Sequence, residues 1–152
     1  MSLAFNVRAA FAEFPAGAPC TEDEIALAER KLGHPLPPSI RDLYREMNGF
    51  VGPTAAQFLY PLLDDAADSS RVSLVGHTLF LRSEDHFPAF LAKAIAVGDD
   101  GTGSAWLIFL GQPHRVALWD AEWGDEFEWL EGGLLDVWLQ AKEMYEAIRK
   151  DT

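Results

Sequence analysis

The sequence predicts an α+β domain: an N-terminal helical hairpin, a central antiparallel sheet of about four to six strands, and a C-terminal helix packed on that sheet. Three observations carry this prediction. Residues 21–49 hold two helical runs with start and stop signals. Short apolar or alternating runs recur from Phe58 to Trp119. An apolar stripe at helical spacing then runs from Leu134 to Ile148.

The first helix starts at Thr21-Glu22-Asp23-Glu24, which has the form of a capping box: a threonine that accepts from the backbone and a glutamate that reaches back to it. Ile25, Ala28 and Leu32 follow on one stripe, Glu29 and Arg30 lie off it, and Gly33 supplies the left-handed stop. Pro37 and Pro38, with fixed φ and no amide donor, suit the entrance of a second helix. Ile40, Leu43, Tyr44 and Met47 form its apolar face, Arg41, Asp42, Arg45 and Glu46 its polar one, and Asn48-Gly49 is expected to cap its end.

Beyond Gly52-Pro53 the texture changes. Phe58-Leu63, Val72-Val75, Thr78-Arg82, Ala105-Leu110 and Arg115-Trp119 read as strands. The run Ala105 to Leu110 has no polar interruption, as expected of a central strand covered on both faces. Gly111-Gln112-Pro113-His114 reads as a turn into Arg115-Trp119. Between Phe87 and Val97 a short helix is expected to lead into a strand near Ala94-Val97.

Leu134, Val137, Trp138, Ala141, Met144, Tyr145 and Ile148 form the closing stripe, with Gly132-Gly133 before it and Arg149-Lys150 suiting the negative end of a helix. No repeat, low-complexity segment or linker divides the chain, so residues 1–152 are expected to form one domain.

Composition narrows the role. Twenty-four acidic against twelve basic residues give a net charge of −12 at pH 7, which disfavours nucleic acid and anionic membrane partners. The same charge keeps a protein soluble or steers it towards a basic partner. The single cysteine, Cys20, can form no internal disulfide and offers no metal-site spacing. No apolar run approaches the length of a membrane span. Residues 1–14 carry Arg8 and Glu13 within their apolar stretch, unlike a secretory signal. The expected location is therefore the cytoplasm.

Glu29, Leu32 and Gly33, then Leu36-Pro37, then an apolar helix ending at Asn48-Gly49 form a block that resembles the SUKH superfamily, named for the yeast cell-wall-synthesis regulator and a large set of bacterial toxin-immunity proteins. Gly98-Asp99-Asp100-Gly101 before an apolar strand is similar to that family's glycine-and-acid loop. The order of strand, acidic loop and Leu139-containing helix also agrees. Ile40 stands where an aromatic is usual, and Gly133-Leu134 replaces the serine-aromatic start of the closing helix. The resemblance implies a binding domain rather than an enzyme, typically a cytoplasmic antitoxin that masks the active site of a secreted toxin, often a nuclease. A cellular scaffold or regulatory adaptor of the same fold is the alternative.

The segment that stands out chemically is 119–131. Asp120, Glu122, Asp125, Glu126, Glu128 and Glu131 fall within it with no Lys or Arg, and Trp119, Trp123, Phe127 and Trp129 interleave with them. Asp120, Glu122, Trp123, Asp125, Glu126 and Glu128 are the candidate partner-binding residues: carboxylates suited to the phosphate groove of a basic nuclease, around a tryptophan anchor. The competing reading is a solvated loop whose aromatics turn inward. A small hydrolase using these carboxylates is a third possibility. No catalytic residue, metal ligand or cofactor site is expected. His34, His77, His86 and His114 are scattered without zinc spacing. Ser69, Ser70, Ser73, Ser83 and Ser104 sit in no nucleophile elbow. Asp99-Asp100-Gly101-Thr102-Gly103 matches only the start of a calcium loop and reads as a tight turn.

Overall fold

A computed structural model of the chain describes residues 2–65 and 72–150; Ser69 and Ser70 lie outside them. The first element is a helix for which the sequence carried no clear signal, α1 (Leu3–Ala10). The Ser2 hydroxyl caps it, accepting from Phe5 N–H at 3.1 Å. Ala4 and Val7 are its buried residues.

The hairpin follows as α2 (Glu22–Leu32) and α3 (Pro38–Glu46). The capping box is present: Glu24 N–H donates to Thr21 Oγ1 at 3.1 Å, and Thr21 N–H to Glu24 Oε1 at 2.9 Å. Gly33 closes α2 in the left-handed conformation. Pro37 is the N-cap of α3 and Pro38 its first residue. The expected stop is corrected: α3 ends at Glu46, with Met47 as an extended C-cap, not at Asn48-Gly49. Those two residues instead join the hairpin to the chain that follows. Asn48 Oδ1 accepts from Leu62 N–H at 2.8 Å. Gly49, at φ +84°, lies so close to the later chain that a Cβ there would stand 2.7 Å from the Leu59 carbonyl.

Among the described residues the strands form two antiparallel sheets. β1 (Phe50–Val51) pairs with β2 (Gln57–Leu59). The larger sheet has the order β3 (Ala94–Asp99), β4 (Ala105–Phe109), β5 (Ala117–Trp119), β6 (Glu128–Trp129). The expected strand Phe58-Leu63 runs only to Leu59, after which Tyr60 N–H donates to Val97 O of β3 at 2.8 Å. β4 is central, as expected, with Ala105 to Ile108 buried. A short 3-10 turn at Ala89–Lys93 leads into β3, matching the expectation for that region.

The largest correction lies at Val72-Val75 and Thr78-Arg82. These are not strands; Val72 precedes a helix capped by Ser73, and the rest of both runs lies within it as α4 (Leu74–Ser83). Ser73 caps this helix, its Oγ accepting from Gly76 N–H at 2.8 Å. Leu74, Val75, Thr78 and Leu81 recur with helical spacing and all are buried. Thr78 Oγ1 accepts from Ala96 N–H at 3.0 Å, so the helix occupies a donor on the edge of β3 that a strand would otherwise have taken.

The closing helix α5 (Leu134–Lys150) packs on the sheet, as expected. Asp136 Oδ2 accepts from Gly133 N–H at 2.9 Å at its start. Trp138 is wholly buried, edge-on to Phe50 of β1 with ring centroids 4.9 Å apart. Farther along, Lys142 Nζ reaches the α1 end of the chain, 2.8 Å from Glu13 Oε1 and 3.1 Å from Ala10 O.

Candidate functional site

The strand register decides which faces the aromatics occupy. Residues directly opposite on antiparallel strands share a face. Ala94 is opposite Phe109, Ala105 opposite Trp119, and Ala117 opposite Trp129. Each large ring of this face is thus set across from an alanine, which leaves room for it to lie over the sheet.

Past Trp119 the chain leaves β5 and makes a 3-10 turn, Ala121–Trp123. Asp120 starts it: Oδ1 accepts from Glu122 N–H at 2.9 Å and Oδ2 from Ser104 Oγ at 3.2 Å. The Trp119 indole N–H donates to Gly124 O at 2.9 Å, which fixes the far side of the turn. Gly124 then redirects the chain at φ +67° towards β6.

These constraints separate the interleaved aromatics. Trp119 is 2% exposed and belongs to the core. Phe127 and Trp129 are half-buried, their rings 5.2 Å apart, and both contact Phe109. Trp123 is 40% exposed, and among the described residues it stacks on no other ring. Glu122, Asp125, Glu126, Glu128 and Glu131 are exposed, and none is in an ion pair among the described residues. Asp120 differs: it is half-buried, with both carboxylate oxygens engaged inside the turn. The geometry therefore sets Glu122, Trp123, Asp125 and Glu126 on one exposed turn, leaves Glu128 beyond it in β6 opposite Leu118, and gives Asp120 the task of shaping the turn.

The sequence did not single out Arg115. Its guanidinium carbon lies 4.0 Å from the centre of the Trp129 ring. A basic residue one strand before an acidic aromatic segment was the available signal.

Other polar groups serve the fold. Asp99 Oδ1 accepts from Gly101 N–H at 2.8 Å, and Asp100 Oδ1 accepts from Thr102 N–H at 3.0 Å, the bonding of a tight turn. Asp99 Oδ2 accepts from the Tyr60 hydroxyl at 2.8 Å; burial first, and that carboxylate second, hold the phenol protonated. Cys20 is buried and its thiol is pushed up to about 12, mainly by burial and further by the charge of Glu24, which leaves little thiolate for nucleophilic work at neutral pH. His34 contacts Arg82 through Nε2 at 2.8 Å, whereas His86 lies 3.7 Å from Glu84. Among the described residues no group of three His, Cys, Asp or Glu side chains is placed to hold a metal ion. No helix among them is long and apolar enough to cross a membrane.

A sequence model described as SMI1 / KNR4 family (SUKH-1) matches residues 19–138. No curated protein matches the chain.

Proposed function

Because the chain belongs to the SMI1 / KNR4 family (SUKH-1), we propose that it is a non-enzymatic protein-binding domain, acting in the cytoplasm as an immunity protein that neutralises a bacterial toxin. Its partner is a basic toxin domain, a nuclease being the class its chemistry suits best. The observation that carries this reading is the turn around Trp123: an exposed indole, held in place from behind by Trp119 and Asp120, near carboxylates that form no ion pair among the described residues.

The mechanism follows from charge and shape. A nuclease collects Lys and Arg where it binds phosphate. Glu122, Asp125, Glu126 and Glu128 offer that surface an alternative set of oxyanions, and their field speeds encounter. Trp123 supplies apolar area that slows dissociation once docked. No bond is made or broken; the toxin is blocked by occupation of its groove.

The test is to isolate the protein's partner by pull-down, and to assay that partner's toxic activity with and without the protein. Stoichiometric inhibition on complex formation is the expected result. A complex that leaves the toxin active would favour the adaptor alternative. Turnover of nucleic acid, peptide or glycan by the protein alone, lost on changing Glu122, would favour the hydrolase.

A further inference from the structure

The rings beside the Trp123 turn continue well beyond it. Phe90, from the 3-10 turn before β3, lies 5.0 Å from Phe127 and 6.4 Å from Trp119 between ring centroids. Phe87 lies 5.4 Å from Trp119 and 6.2 Å from Phe80 of α4, which is 52% exposed. A chain of ring contacts thus runs from Phe80 to Trp129 by way of the buried Trp119, and Phe87, Phe90, Phe127 and Trp129 along it are only half-buried.

One end of the strip already holds a guanidinium. Arg115 is exposed and lies over Trp129 at 4.0 Å, and among the described residues it forms no ion pair, although the acidic segment is close in the chain. The stacked position is the one this surface gives to a planar cation. A free carboxylate lies next in the chain: Glu126, which precedes Phe127, is exposed and in no ion pair among the described residues, whereas Glu128 pairs with Leu118 on the other face of β6.

We propose that this strip is a seat for arginine side chains of a basic protein partner, with guanidinium planes on the rings and N–H donors directed to the neighbouring carboxylates. This rests on the reading that segment 119–131 faces such a partner, and it deepens that reading by naming arginine as the recognised group. Arginine suits the surface better than lysine for two reasons. Its planar cation stacks on aromatic faces, and its fork of donors meets a carboxylate with two bonds, whereas a lysine ammonium is a compact and strongly hydrated charge. The net charge of −12 opposes a nucleic acid in the same place and favours a cationic protein segment.

The test needs no toxin. Two blocked peptides of equal length and charge, one with arginines alternating with glycine and one with lysines in their place, are titrated into the intact protein at physiological salt, with the tryptophan indole N–H signals followed by NMR. The arginine peptide is expected to bind about tenfold more tightly and to shift the Trp129 indole signal. Phe80→Ser, at an exposed ring, and Phe127→Leu should each lower the ratio of arginine to lysine affinity. Arg115→Ala, which uncovers Trp129, should raise it; the lost charge affects both peptides alike, so the ratio isolates stacking. Equal affinities for the two peptides, or a ratio unmoved by these variants, would overturn the proposal. So would concentration-dependent self-association abolished by Phe80→Ser, which would make a second copy of the chain the occupant. Failure here leaves the immunity reading standing, because that reading is judged on inhibition of the toxin.

Discussion

Glu29 shows why the residues of the N-terminal block are spaced as they are. Its Oε2 accepts from the Leu36 N–H at 2.7 Å and from Arg41 at 3.1 Å, and Arg41 also donates to Leu36 O at 3.4 Å. One partly buried carboxylate thus ties the end of α2, the loop through Gly33 and the start of α3. Glu29→Ala should cost about 1–3 kcal/mol by leaving a loop donor unsatisfied, and Glu29→Gln, which keeps an acceptor, should cost less. Urea unfolding of the two variants checks the order. Two of the three tryptophans of the acidic segment should behave in opposite ways. Trp119→Ala removes a core ring and should cost about 3–5 kcal/mol, whereas Trp123→Ala should leave the thermal midpoint nearly unchanged. Thermal unfolding of both separates a core residue from a contact residue.

At the scale of elements, legibility followed how local the determining chemistry is. The starts of α2 and α3 are set by neighbouring side chains and prolines, so they can be read from a few residues. The helix α4 cannot. Val72, Val75 and Thr78 favour strands locally, and only burial of Leu74, Val75, Thr78 and Leu81 together makes the helix the better solution. Strands β1 and β6 are two residues each, too short for an alternation to register. In the acidic segment, the interleaving of aromatics with carboxylates was legible, but which tryptophan turns inward depends on the pairing of Ala105 with Trp119 across the sheet. Ser73→Ala should cost about 1 kcal/mol or somewhat more through loss of the α4 cap, measurable by denaturant unfolding. The same helix carries a pH dependence. Burial holds the His77 imidazole below its ordinary pKa, outweighing the opposing pull of the Asp99 carboxylate. The folded state therefore binds a proton less readily than the unfolded chain. The associated stability is fully present above about pH 6.5 and is lost as pH falls below it towards the folded pKa. Relative to the parent, His77→Gln should lose stability less steeply between pH 7 and about 5, read as urea midpoints across that range.

For the whole molecule, the fold places its acidic residues unevenly. From Val116 to Ala141 the chain carries seven carboxylates and no Lys or Arg, whereas the hairpin holds ion pairs such as Arg45 with Glu22 at 2.7 Å and Arg41 with Glu29 at 3.1 Å. Of the seven, Asp120 and Asp136 bond within the chain, and the others are in no ion pair among the described residues. The central claim is that this set and Trp123 face a basic protein. The most direct measurement is the association and dissociation kinetics of the complex with the toxin at several salt concentrations, using the parent protein, Trp123→Ala, and a variant with Glu122, Glu126 and Glu128 changed to Gln and Asp125 to Asn. The amide variant should associate more slowly, with a flatter salt dependence, because steering is screened electrostatics. Trp123→Ala should associate almost as the parent does and dissociate about 30-fold faster, the equivalent of about 2 kcal/mol. Folded variants whose two rates match those of the parent would contradict the account and place the interface on another face of the molecule.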